Sequence, residues 1–153
     1  MNEDGSGQRT LTNHPKLNEP TKLMFKYGDF DPILSPDGTK VSFERLMDDK
    51  LTVNNSEVGN YDIMIINTDG SGLVNITNSR ESEGFPYWSP DGKKFAFLKI
   101  TDDMKDLYRI FTINTDGSGE KKVNKSLDRQ MVQHSAQWFP GGERLLFSGE
   151  WFQ

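Results

Sequence analysis

At 153 residues the chain has room for one domain, and an apolar fraction of 33% with a mean hydropathy of −0.71 leaves it little surface for a conventional core. A net charge of −5, with lysines and arginines scattered, argues against nucleic-acid binding, which calls for a basic face. The absence of cysteine excludes disulfides, thiolate metal sites and a cysteine nucleophile, and no apolar run approaches the ~18 residues of a membrane-spanning helix.

Residues 1–12, MNEDGSGQRTLT, read as a polar strand opened by an Asp-Gly-Ser-Gly turn. There is no apolar signal-peptide core. Residues 13–29 match nothing else in the chain. A strand-length piece follows, FDPIL (30–34), then the turn Ser35-Pro36-Asp37-Gly38, then the alternating piece KVSF (40–43). The stretch 44–60 reads as a loop. An apolar run, YDIMII (61–66), leads into Asp-Gly-Ser-Gly (69–72) and a polar strand ending at Ile76. The series then recurs as FPYW (85–88), Ser-Pro-Asp-Gly (89–92), KFAF (94–97), a loop at 98–107, YRIFTI (108–113), Asp-Gly-Ser-Gly (116–119) and a strand ending at Val123. A third, partial series is SAQWF (135–139), Pro140-Gly141-Gly142 and RLLF (144–147).

The turn chemistry predicts hairpins. Proline presets φ at the first corner of a type I turn, and the glycine takes the left-handed position that closes it. Successive glycines of this turn are 54 and 50 residues apart (38, 92, 142), and those of the Asp-Gly-Ser-Gly turn 65 and 47 apart (5, 70, 117). Two alternating marks at a period near 50 indicate a repeat array. Each repeat is an antiparallel meander of four strands, A to D, which is the sequence form of a β-propeller blade. A β-sandwich is the alternative, but it has no reason to repeat its turns.

WSPDGKKFAF followed by DLYRIFTINTDGSG resembles the TolB-type, WD-like propeller repeat, and the match covers nearly the whole chain. It is strong at 85–119, good at 30–43 and 61–77, and weaker at 136–147, where Gly141 replaces the motif aspartate and Phe139 the serine. The expected organisation is one all-β repeat region over 1–153. Its parts are an outer strand of an incomplete blade (1–12), a blade (30–77), a second blade (85–124) and a half-blade (135–153). That is about three blades' worth, a partial propeller or half of the six-bladed ring the resemblance implies. Met1 stands where Ile66 and Ile113 stand, so the chain opens inside a repeat. Propellers often close by pairing an N-terminal strand D with a C-terminal A–B–C set. Here the C-terminal set lacks C, for which KLMFKY (22–27) is a candidate filler. The chain is expected to self-associate, or to be unstable, because an open stack leaves apolar faces and strand edges bare.

Register predicts the core. Leu34, Trp88 and Trp138 share one position, Val41, Phe95 and Leu145 a second, and Phe43, Phe97 and Phe147 a third. Ile63, Ile65, Ile110 and Thr112 lie on one face of strand C, and Met64, Ile66, Phe111 and Ile113 on the other. A strand apolar on both faces belongs between packed sheets, and the repeated tryptophan reads as inter-blade packing rather than a ligand platform.

No catalytic constellation is found. His14 and His134 are far apart in sequence, and no Gly-x-Ser-x-Gly elbow or histidine metal pair exists. The carboxylate pairs Asp48–Asp49 and Asp102–Asp103 read as solvated loop acids. The Asn-Thr-Asp-Gly-Ser-Gly loops (67–72, 114–119) echo an oxygen-rich Ca²⁺ loop without its spacing or its distal glutamate, so no metal or other cofactor is expected. The best-motivated site is the start of strand A, where inner strands ring the channel mouth: Asp29, Asp31, Glu81, Glu83, Gln133, His134 and Ser135. A hydrated channel without a specific ligand is the competing reading. Met24, Phe25, Tyr27, Trp151 and Phe152 form either a sticky surface or part of a core. The resemblance implies a non-enzymatic, extracytoplasmic (periplasmic) scaffold that binds a protein or peptide, without nucleic-acid binding or membrane insertion. The alternative is the propeller part of a larger prolyl-oligopeptidase-like hydrolase. A polysaccharide-degrading propeller ranks third, because no histidine cluster is present to ligate a metal.

Overall fold

The computed structural model describes residues 3–14, 28–48, 52–53, 56–57, 59–100, 108–123 and 131–151. Segment 22–27, Asp49, Asp102, Asp103 and Phe152 lie outside them, as do the side chains of Asp48 and Trp151. The described residues contain strands and turns and no helix.

Three sheets follow one another along the chain. The first is β1 (Asp29–Leu34), β2 (Lys40–Asp48), β5 (Asn60–Asn67) and β6 (Val74–Asn75), paired in that order and antiparallel. The second is β7 (Ser82–Trp88), β8 (Lys94–Ile100), β9 (Arg109–Asn114) and β10 (Lys121–Lys122). The third is a pair, β11 (Met131–Trp138) and β12 (Leu145–Trp151). These are propeller blades, each running from inner to outer strand. A small hairpin, β3 (Thr52–Val53) with β4 (Ser56–Glu57), decorates the first.

The turns do what their residues predict. Gly38 N–H donates to Ser35 C=O at 2.9 Å, and Ser35 N–H to Lys40 C=O at 2.9 Å. The Asp37 carboxylate accepts from the Ser35 hydroxyl at 2.6 Å and from Thr39 N–H at 3.0 Å. Ser89 to Lys94 repeats this pattern. The altered third copy keeps the backbone turn, with Gly142 N–H on Phe139 C=O at 2.8 Å, because it retains the proline and the left-handed glycine (φ +77°). Arg144 stacked over the Phe139 ring at 4.4 Å replaces the missing Ser–Asp bond. At the other turn, Asp4, Asp69 and Asp116 each accept from the backbone N–H two residues on, at 2.8–2.9 Å. Residues 3–7 therefore form the same turn as the internal copies.

Two strand expectations change. The stretch 44–60 is not all loop, since β2 continues to Asp48 and β5 begins at Asn60; likewise β8 continues to Ile100. Polar Glu44, Arg45 and Lys99 extend these strands because each, itself buried, finds a hydrogen-bonding or charged partner. The outer strand shortens to two ladder residues in each complete blade.

The core lies between blades. One face of the first blade (Ile63, Ile65, Ile76) packs on the facing side of the second (Phe95, Phe97, Ile113, with Trp88). The far side of the second (Ala96, Leu98, Ile110) packs on the third (Ala136, with Trp138 and Phe147). Both seams carry one repeated bond. Trp88 Nε1–H donates to Ile33 C=O at 3.2 Å, and Trp138 Nε1–H to Tyr87 C=O at 3.0 Å, where Ile33 and Tyr87 are equivalent residues of the preceding inner strand. Leu34, at the same position in the first blade, meets no preceding blade among the described residues and is 59% exposed.

The seam predicts a stability hierarchy. Trp88→Ala should destabilise the protein by roughly 3 kcal/mol, combining lost burial with an orphaned carbonyl, and Trp88→Phe by about 1 kcal/mol. Leu34→Ala should stay within about 0.5 kcal/mol. Urea unfolding followed by circular dichroism checks the order, and equal costs for Trp88→Ala and Leu34→Ala would contradict it.

Candidate binding site on the inner strands

All three inner strands are bulged, the first two at equivalent positions, between Phe30 and Ile33 and between Gly84 and Tyr87, and the third one residue earlier, between Gln133 and Ser135. Bulges re-aim side chains. Asp31 (φ +50°) and Phe85 (φ +53°) occupy equivalent bulge positions in the left-handed region, each followed by a proline, and both are exposed. A left-handed aspartate or phenylalanine costs of order 1 kcal/mol and persists only where its surroundings hold it. Phe85 is held by its backbone N–H, which donates to the Glu44 carboxylate of the preceding blade. Gly84 makes room for this, since a Cβ there would lie 2.9 Å from Glu44 Oε2. His134 is the exposed residue of the third bulge.

The structure separates the sequence-predicted residues into two sets. Asp29, Glu83 and Gln133 sit at equivalent register positions facing Arg45, Lys99 and Gly149. Asp29 takes a bidentate pair from Arg45 at 2.7 and 2.8 Å, with a further hydrogen bond from Thr12. Burial alone would raise the Asp29 carboxyl, but Arg45 and Thr12 together hold it below the usual range. Glu83 accepts from the Ser79 hydroxyl at 2.5 Å and lies 3.3 Å from Lys99 Nζ. Lys99 is shared more closely with Glu81 at 2.7 Å and Glu120 at 2.9 Å. Burial acts to lower the Lys99 ammonium, yet these carboxylates raise it above its ordinary value. Burial pushes Glu83 up, against the opposing pull of Ser79 and Lys99. In the third blade the base is absent and the acid is a neutral amide. Gln133 Oε1 accepts from Ile110 N–H at 2.7 Å, while its buried Nε2 has no partner. Gln133 ties the third blade to the second, Asp29 and Glu83 pair with a base on the adjacent strand of their own sheets, and all three are engaged within the protein rather than offered to a ligand. Asp31, His134 and the half-exposed Glu81 and Ser135 remain accessible.

Sequence reasoning passed over Glu44 and Phe85. Glu44 is 8% exposed, and burial pushes its carboxyl up to about 7, with the Phe85 N–H opposing the shift and the charge of Asp31 adding to it. Among the described residues no group of three acids or histidines is placed to hold a metal ion. The loop oxygens that echoed a Ca²⁺ site have other partners. Asp69 accepts from the Ser71 hydroxyl at 2.7 Å, and Asn67 Oδ1 accepts from the Lys40 ammonium at 2.8 Å.

No family model matches the chain. It is 28% identical over 133 residues to an uncharacterized protein of Agrobacterium fabrum, covering 83% of this chain and 42% of that one. It is 30% identical over 119 residues to the uncharacterized peptidase YuxL of Bacillus subtilis, covering 76% of this chain and 16% of the peptidase. The chain thus spans less than half the length of either relative. Among solved structures it resembles a TolB from Agrobacterium tumefaciens, with a TM-score of 0.56 at 23% identity over 82% of this chain and 43% of that one. It also resembles the β-propeller domain of the Trilobed protease from Pyrococcus furiosus, described as having an open velcro topology, with a TM-score of 0.54 at 20% identity, covering 79% and 34%. TolB from Acinetobacter baumannii follows, with a TM-score of 0.52 at 18% identity, covering 76% and 25%. A stack of antiparallel meanders, joined face to face and bulged along its inner strands, is a partial β-propeller. Its fold is the TolB-like one.

Glu44 yields a pH prediction. Its carboxyl is raised in the folded state, from 4.5 to about 7, so folding takes up a proton. The resulting stabilisation is fully present below pH 4.5 and is lost as the pH rises through about 7. Glu44→Gln should flatten this dependence, gaining on the wild type by up to about 3 kcal/mol between acidic and mildly alkaline buffer. Parallel wild-type and variant pH–stability curves would refute the assignment.

Proposed function

We propose that the chain is a non-enzymatic scaffold that binds a protein or peptide along the axial side of its inner strands. One observation carries this reading: the first two inner strands are bulged at equivalent positions and the third one residue earlier, and these bulges present Asp31, Phe85 and His134 to solvent. An acid, an aromatic ring and an imidazole on three successive strands suit an extended peptide with a basic side chain, which Asp31 attracts and Phe85 packs against. The TolB-like fold supports a binding role, and the resemblance to TolB-type repeats favours such a role outside the cytoplasm. No helix among the described residues is long and apolar enough to cross a membrane.

A second reading has its own support. The likeness to a named peptidase and to a protease's propeller domain favours a propeller that accompanies a hydrolase elsewhere in a longer protein. Both readings make this region a binding surface.

Selection of displayed random peptides on the immobilised protein tests the proposal. Peptides rich in Lys or Arg should be enriched, and Asp31→Ala combined with Phe85→Ala should weaken them at least about tenfold, equivalent to ~1.4 kcal/mol. No enrichment, or binding indifferent to both substitutions, would remove the inner-strand site. Cleavage of the selected peptides by the purified chain would overturn the non-enzymatic assignment.

A further inference from the structure

The two ends of the blade stack are bare in complementary ways. At one end Leu34 stands where Trp88 and Trp138 stand in the later blades, and it is 59% exposed. At the other end Leu146 stands where Ser42 and Ala96 stand, and it is 60% exposed although both equivalents are fully buried. Exposed Gln137 and Ser148 flank it, and a shallow groove runs beside it between Tyr87 and Phe147.

The Leu34 face is open only in part. Its outer half is covered, for Phe43, Met64 and Ile66 are buried. Residues 3–14 lie there in the manner of an outer strand. The Leu11 carbonyl adjoins Gly70 as the Ile76 carbonyl adjoins Gly117, and Arg9 donates to the Thr68 carbonyl. Among the described residues, no inner pair of strands covers this face. The third blade has an inner pair, β11 and β12, as its described sheet, with the Leu146 side uncovered.

We propose that β11–β12 of one copy stacks on the inner half of the first blade of a second copy, bringing Leu146 to Leu34. This continues the contact made twice within the chain, where each blade presents one face to the opposite face of the next. The contact is head-to-tail, so two copies joined by two such seams close a ring. The amount of chain fits, because the part aligned with the Agrobacterium TolB makes up 43% of that chain and two such parts approach a whole one.

Sedimentation equilibrium at high micromolar concentration tests this. The wild type should show a mass twice the 17.4 kDa of one chain. Leu34→Asp and Leu146→Asp should each give monomers, and both sites are exposed enough that circular dichroism should be unchanged. An equimolar mixture of the two variants should regain dimer, because one of its two seams keeps both native leucines. A wild-type monomer, or a dimer that survives both substitutions, overturns the proposal. The monomer outcome would assign the Leu146 face to a further blade of the same polypeptide.

Discussion

The two four-stranded sheets are apolar on both faces, and the rest of the structure follows from that constraint. A strand such as β5, with Ile63 and Ile65 on one side and Met64 and Ile66 on the other, cannot be satisfied by one neighbour. Each sheet must therefore be sandwiched. The tryptophan bonds to Ile33 and Tyr87 fix the spacing, because the indole reaches its carbonyl only when the sheets are seated. This also explains how 33% apolar residues suffice. The apolar residues concentrate in the middle strands, where both faces are used, while the outermost strands are short and polar.

Polar groups inside the seams are organised by the same repetition. A carboxylate at the start of the inner strand faces a base on the adjacent strand, as Asp29–Arg45 and again as Glu83–Lys99. Such buried pairs are weak evidence for stability, since desolvation offsets much of their attraction. They do fix register, because a slip of one residue would bury each charge without its partner. Glu44 spans a seam, and its carboxylate replaces the ladder bond that the Phe85 N–H gives up at the bulge. The exposed face of the bulge and the buried face of the seam are thus one construction.

Turn and strand chemistry made the blades legible, because Pro36, Asp37 and Gly38 can do little else in that order and strand C carries apolar residues on both faces. The tryptophan's role was legible from its equivalence to Leu34. The polar interior was not, because Glu83 and Lys99 look like ordinary surface charges until the strands are paired. A signal was nonetheless present. Asp29 and Arg45 are 16 residues apart, and Glu83 and Lys99 have the same separation. Gln133 and Gly149 complete the series with neither charge, a correlated loss that marks the pair as a unit. The bulges were hidden for a different reason. Asp31-Pro32 and Phe85-Pro86 share a position but not a residue type, so only backbone conformation reveals them.

The docking of residues 3–14 has a kinetic consequence. Contacts within a blade join residues close in sequence, so each meander can form from short loop closures. Arg9, in contrast, meets Thr68 at a separation of 59 residues, on a surface that exists only after the first blade has formed. This segment must therefore be the last part to settle during folding. It is held at its edges rather than threaded through a ladder, so it should also be the first to lift away.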